Sequence, residues 1–313
     1  MQPPKLPPGT TLIAEDLKFP EGPIALPDGS VVLVEIARGT LSQVSPEGVV
    51  TVIADLGGGP NGAALGPDGY CYVCNNGGFQ WLDYEGLMIP GEQPEDYSGG
   101  RIERVDLDSG RAEVLYSHCN EQPLRGPNDI VFDRAGNFWF TDHGKVRARD
   151  KDRTGVFYAR SDGSEVREVL FPLEGPNGIG LSPDETELYV AETQTGRLWA
   201  YRLSEPGIID AAEGDRPDGG RLLPGRDGYY LYDSLAVDAA GNICVATLIQ
   251  GGISIVSPHN TEVGFVPMPD ILTTNICFGG EDMQTAYVTL SSTGRLIALP
   301  WQHPGLVLNY QQR

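Results

Sequence analysis

One short pattern recurs six times along this chain: an opening of the Gly-Pro-Asn type, a brief apolar run, a turn rich in Asp, Asn and Gly, and a second β-rich run. It begins as Phe19-Pro20-Glu21-Gly22-Pro23-Ile24-Ala25-Leu26-Pro27-Asp28-Gly29, followed by residues 31–34. It returns at Gly59-Pro60-Asn61-Gly62, Gly126-Pro127-Asn128-Asp129, Gly175-Pro176-Asn177-Gly178, Tyr232-Asp233-Ser234 and Thr274-Asn275-Ile276. Self-similarity at this scale is the mark of a repeat architecture, in which a unit that cannot bury its apolar face alone stacks on its neighbours.

Further strand-like runs joined by tight turns follow the opening, as at 39–45 and 49–54 around Pro46-Glu47-Gly48, or 156–160 and 166–170 around Asp162-Gly163. Four short strands per unit and six units predict an all-β chain, a six-bladed β-propeller with radially arranged sheets. The final unit runs short of strands after 295–299, and the run 10–15 has no unit of its own. That N-terminal run is expected to complete the sixth blade and close the ring, making 1–313 a single domain. Forty-one Gly and 25 Pro residues suit such a turn-rich fold, and regular helix should be scarce.

The formal charge of −21 repels phosphate backbones and excludes a nucleic-acid partner, while serving solubility. No stretch approaches the ~18 uninterrupted apolar residues of a membrane span. Met1 to Pro8 has no apolar run of the kind a secretory leader needs. Five cysteines form no disulfide framework, and Cys71 and Cys74 fall three apart on a strand, where side chains face opposite ways. A reducing, cytoplasmic setting is expected.

In a propeller the first strand of each blade lines the central channel, so residues opening those strands converge at one mouth. Here they are Glu21, Asn61, Asn128, Asn177, Asp233 and Asn275, two carboxylates and several amides. Taken singly, Asn61 or Asn275 fits an ordinary turn. Glu21, held between Pro20 and Gly22-Pro23 at the end of a channel, needs a partner for its charge, and a cation supplies one. Glu21, Asn128, Asn177 and Asp233 are thus candidate ligands of a hard divalent cation, Ca2+ with Mg2+ and Mn2+ as alternatives. Four protein ligands leave places on Ca2+ for water and substrate. The four histidines show no ligand spacing for zinc.

Two segments interrupt the repeat, 75–100 and 143–154, each between the second and third strands of its blade. The first carries Phe79, Trp81, Tyr84, Leu87, Met88 and Tyr97, which suit either the wall of a pocket or a loop packed on itself. The Gly-x-Gly-x-x-Gly match at 57–62 precedes strand rather than helix, so it is no dinucleotide fingerprint. No Gly-x-Ser-x-Gly elbow occurs.

On Phe19-Pro20-Glu21-Gly22-Pro23, Gly126-Pro127-Asn128-Asp129, Gly175 to Asp184, Tyr232 to Asp238 and Asn275 to Gly280, nearly the whole chain resembles the senescence marker protein/gluconolactonase/luciferin-regenerating-enzyme-like family, the regucalcin-like lactonases. The resemblance implies the same propeller and a catalytic cation on Glu21, Asn128, Asn177 and Asp233. It also implies hydrolysis of a small-molecule lactone with Asp233 as general base. Regucalcin-like members carry an Arg where this chain has Gly126, Arg125 being one residue further off, so the resemblance leaves aldonolactone specificity unsupported. Asn61, Arg125, His143 and Asn275 are the expected substrate contacts. A phosphotriesterase in the same pocket and a non-catalytic calcium-binding propeller are the competing expectations.

Overall fold

The computed structural model describes residues 5–212, 214–259 and 263–311. Six antiparallel sheets stand around one axis, each taking its innermost strand from a repeat opening. These inner strands are Pro20–Ala25, Pro60–Leu65, Pro127–Phe132, Pro176–Leu181, Leu231–Val237 and Thr273–Gly279. We number the blades in that order. Blade 6 takes its outermost strand from Thr11–Ala14, which pairs with Arg295–Pro300 and joins the two ends of the chain, as the orphan N-terminal run predicts. Blade 4 departs from the pattern, because Arg221–Leu222 and Ile208–Ile209 divide the edge of Arg197–Glu205 between them. No helix occurs among the described residues.

The core is six slabs, one between each pair of adjacent blades. Along Val31–Glu35, Val32 and Val34 pack toward blade 2, whereas Val31 and Leu33 pack toward blade 6. Both faces of this second strand are therefore covered, which explains continuous burial where a one-sided sheet would alternate. The same alternation sends Cys71 into the slab between blades 1 and 2 and Cys74 into the next one. All five cysteines are free and buried. Aromatic rings fill much of the slab between blades 2 and 3, where Tyr72 meets Phe132 edge-on at 5.0 Å.

Every inner strand breaks register with its neighbour just after its first residues: between Glu21 and Ile24, Pro60 and Ala63, Pro127 and Ile130, Pro176 and Ile179, Tyr232 and Leu235, and Thr273 and Asn275. A bulge of this kind inserts one residue and re-aims a side chain out of the pleat. Glycine follows in three blades because the next blade leaves no room. A Cβ on Gly22, Gly62 or Gly178 would lie 2.6, 2.4 or 2.6 Å from the carbonyl oxygen of Asn61, Asn128 or Asp233 respectively. The openings thus pack backbone to backbone around the axis.

A second device holds them still. In four blades the last residue of the second strand accepts hydrogen bonds from the chain entering the first: Glu35 from Lys18 N, Asn75 from Gly59 N, Asp142 from Arg125 N and Gly126 N, and Glu192 from Glu174 N. At the opposite mouth Asp28, Asp68, Asp133, Asp184 and Asp238 accept backbone N–H groups of their own turns. The segment after Pro300 crosses that mouth. Leu306 N donates to Val237 O, Asn309 Nδ2 to Phe132 O and Gln311 Nε2 to Phe278 O, so blades 5, 3 and 6 are tied together and the channel is closed below.

Candidate active site

The bulges bring two stacked rings of residues to the axis. The upper ring is Glu21, Asn61, Asn128, Asn177, Asp233 and Thr274, and all six line one cavity of about 220 Å3 that opens at the top of the propeller. One step deeper lie Gly22, Gly62, Asp129, Gly178, Ser234 and Asn275. The sixth repeat therefore places Thr274, not Asn275, on the upper ring. Its extra residue falls between Thr273 and Asn275, which shifts Asn275 inward. From there the Asn275 amide donates to Glu21 Oε2 at 2.6 Å, and Gly22 N donates to the same oxygen at 2.6 Å.

Asn177 is oriented from two sides, its Nδ2 donating to Thr193 Oγ1 at 3.1 Å while Ser234 Oγ donates to its Oδ1 at 3.4 Å. Asn128 Oδ1 is buried and has no hydrogen-bond partner among the described residues. An unpaired buried acceptor costs about 1–3 kcal/mol, so a group that accepts nothing here is waiting for a donor or a cation.

Asp129 was legible in the sequence only as half of an Asn-Asp turn. In the fold it is a third carboxylate at the axis, itself buried, accepting from Ile130 N at 3.0 Å and Ile179 N at 3.4 Å. Burial and then the charge of Glu21 push Asp129 up to about 8. Burial pushes Glu21 up to about 7, against hydrogen bonds from Asn275, Gly22 and Thr274 that pull it down. Asp233 is held well above the usual carboxylate range by burial first, then by Glu21 and Asp129. None of these shifts has a positive side chain among its causes. Three carboxylates crowd one end of a channel with no cationic side chain among the described residues to balance them.

The insertions build the walls. Phe79, Pro90 and Gly91 from the first, and His143, Gly144 and Val146 from the second, line the cavity. The first insertion folds as a hairpin of Trp81–Tyr84 with Leu87–Pro90, and it does not pack only on itself. Trp81 meets Phe19 of blade 1 at 5.1 Å, and Met88 N donates to Ser292 O of blade 6. Burial and the ammonium groups of Lys145 and Lys151 hold the His143 imidazole down to about 4, so it is neutral at pH 7. Arg125 is exposed and lies outside the cavity lining; its backbone carries its contacts, N to Asp142 and carbonyl from the Tyr97 hydroxyl.

Residues 19–292 match the SMP-30/Gluconolactonase/LRE-like region, and the chain belongs to that family. Among its relatives, a gluconolactonase of Zymomonas mobilis is 26% identical over 311 residues, covering 90% of this chain and 78% of the relative. A lactonase, drp35, of Staphylococcus saprophyticus is 29% identical over 243 residues, 77% of this chain and 67% of its own. In three dimensions the chain is similar to a calcium-binding protein, regucalcin, from Agrobacterium tumefaciens, with a TM-score of 0.75 at 18% identity and 97% of each chain covered.

Proposed function

We propose that this chain is a divalent-cation-dependent lactonase whose reaction centre is the upper ring of the propeller. The observation that carries the proposal is the Asn128 Oδ1 acceptor, buried without a partner beside the uncompensated carboxylates Glu21 and Asp233. An oxygen-only donor set suits a hard cation. Glu21, Asn128, Asn177 and Asp233 are the residues that would hold it. Ca2+ fits best, since it accepts mixed carboxylate and amide oxygens in flexible geometry, with Mg2+ and Mn2+ the alternatives. When bound, such a cation supplies Lewis acidity toward the ester carbonyl and offsets the negative charge that develops on it. Lactonase relatives and a regucalcin neighbour named for calcium binding support the same choice.

The side chains then divide the remaining work. Asp233, partly exposed to the cavity, takes a proton from the attacking water. The water oxygen bonds to the carbonyl carbon, the ring C–O bond breaks, and the proton passes to the departing alkoxide, giving a hydroxy acid. Asn61 and neutral His143 offer hydrogen bonds to the bound ester from two sides of the cavity. Asn275 fixes Glu21 from beneath. Arg125, on the outside, would reach substrate only at the rim.

The test is lactone turnover followed with a pH indicator before and after chelation. Loss of activity with EDTA and recovery with Ca2+ are expected, together with at least 100-fold loss in Asp233→Asn and Glu21→Gln at an unchanged β-rich circular dichroism spectrum. Full activity in either variant, or in EDTA, overturns the proposal.

A further inference from the structure

The polar groups of the cavity are confined to the strand openings and to His143 and Thr193 at the ends of neighbouring second strands. The remaining side-chain lining is apolar: Phe19, Ile36, Phe79, Val146, Leu248 and Leu272, with Pro90 beside them. No lysine or arginine lines the cavity among the described residues. The hydroxyls of a sugar lactone, pressed on such walls, would lose water without gaining partners. An alkyl or aryl group would instead gain up to about fourfold in affinity for each methylene it buries.

One wall has dedicated support. Lys145, from the second insertion, is 1% exposed, and its ammonium lies 4.0 Å from the centre of the Phe79 ring. It donates to Asn76 Oδ1 at 2.9 Å and to Gly78 O at 2.6 Å, gripping the chain immediately before Phe79. Among the described residues it forms no ion pair. A buried ammonium is costly, and the attraction of Asp142 and Asp152 joins its two hydrogen bonds and the ring face in keeping it there. Gln93 N donating to Val146 O, and Arg147 Nη1 donating to Gln93 Oε1, tie the two insertions together further out. On the other side Trp81 meets Phe79 edge-on at 6.0 Å.

Resting on the lactonase reading above, we propose that this site selects lactones bearing an uncharged apolar substituent, that Phe79 is the specificity-determining wall, and that Lys145 is a positioning residue acting through it. The chain would then differ in substrate from relatives named for gluconolactone.

The experiment is a kcat/KM series with Ca2+-loaded protein on γ-butyrolactone, γ-caprolactone, γ-nonanolactone and glucono-1,5-lactone. The expected result is at least a tenfold rise from the four-carbon to the nine-carbon lactone, with gluconolactone below both longer substrates. Phe79→Ala should flatten that rise, and Phe79→Leu should restore most of it. Lys145→Met, which keeps the apolar stem, should raise KM for γ-nonanolactone about fivefold or more while kcat changes less than threefold. An equal fall in kcat for all substrates would mark Lys145 as structural and overturn its assigned role. Turnover of gluconolactone ahead of the alkyl lactones overturns the specificity and leaves the lactonase reading standing. No turnover of any lactone overturns both. The wild-type series stands whether or not a variant folds.

Discussion

The side-chain amide of Asn275 meets Glu21 Oε2 at 2.6 Å although 254 residues separate them in the chain. This bond crosses the seam of the ring, from the last inner strand to the first. It fixes one candidate cation ligand by a partner one layer deeper. Asn275→Ala should therefore weaken Ca2+ binding about 10- to 100-fold, the usual consequence of removing a residue that orients a ligand. Isothermal titration of chelator-treated protein measures it, and an unchanged affinity would detach Asn275 from the site.

Proton linkage gives a second expectation. In cation-free protein Glu21 keeps its proton to about pH 7, against an ordinary value of 4.5, and Asp129 keeps its own to about pH 8, against 3.8. Both are raised on folding, so their stabilisation is complete below the unfolded values and is lost as pH rises through the folded ones. Melting in EDTA should accordingly fall between about pH 5 and pH 8. Saturating Ca2+ should restore the melting temperature at pH 8 far more than at pH 5, because binding at low pH must expel protons. A melting temperature that rises with pH in EDTA would contradict this.

Asp129 separates charge from ligation. Asp129→Asn removes one of three mutually repelling carboxylates. The cation-free variant should melt higher than the wild type at pH 8, and its Ca2+ affinity should drop about tenfold as attraction is lost. Paired thermal melts and calcium titrations check both signs at once.

Packing at the axis is tight enough to feel one methyl group. A Cβ at Gly62 would sit 2.4 Å from Asn128 O, so Gly62→Ala must push aside a candidate ligand strand. We expect a cost of about 1–3 kcal/mol in urea denaturation and a parallel loss of cation affinity. Gly57→Ala is the control: with φ near +61° and nothing within 4 Å of its Cβ, it should strain only its own backbone and leave the affinity within twofold.

Much of this architecture is written in the period of the chain. The recurring openings are visible because each inner strand needs the same bulge, and Gly22, Gly62 and Gly178 follow it for want of space. The orphan run 10–15 is legible as a ring closure because a blade short of a strand leaves an edge to fill, and Thr11–Ala14 fills it. Periodicity does not reveal where in the sixth opening the extra residue falls. Thr274 and Asn275 are adjacent polar residues, and only the pairing of Thr273 with Leu290 and Asn275 with Thr289 decides which faces the cavity. Asp129 is hidden for a related reason: it occupies a position that is glycine in three other blades, so its sequence looks like a turn. The tail after Pro300 belongs to no repeat, and Lys145 gains its meaning only from an insertion some 70 residues earlier.

The central claim is that one cation lies among Glu21, Asn128, Asn177 and Asp233. Anomalous diffraction from crystals grown with Ca2+ tests it most directly. The account predicts a single strong peak at the floor of the top cavity, about 2.3–2.6 Å from oxygens of those four side chains. A peak elsewhere, or none at saturating Ca2+ with the four side chains in place, would contradict it.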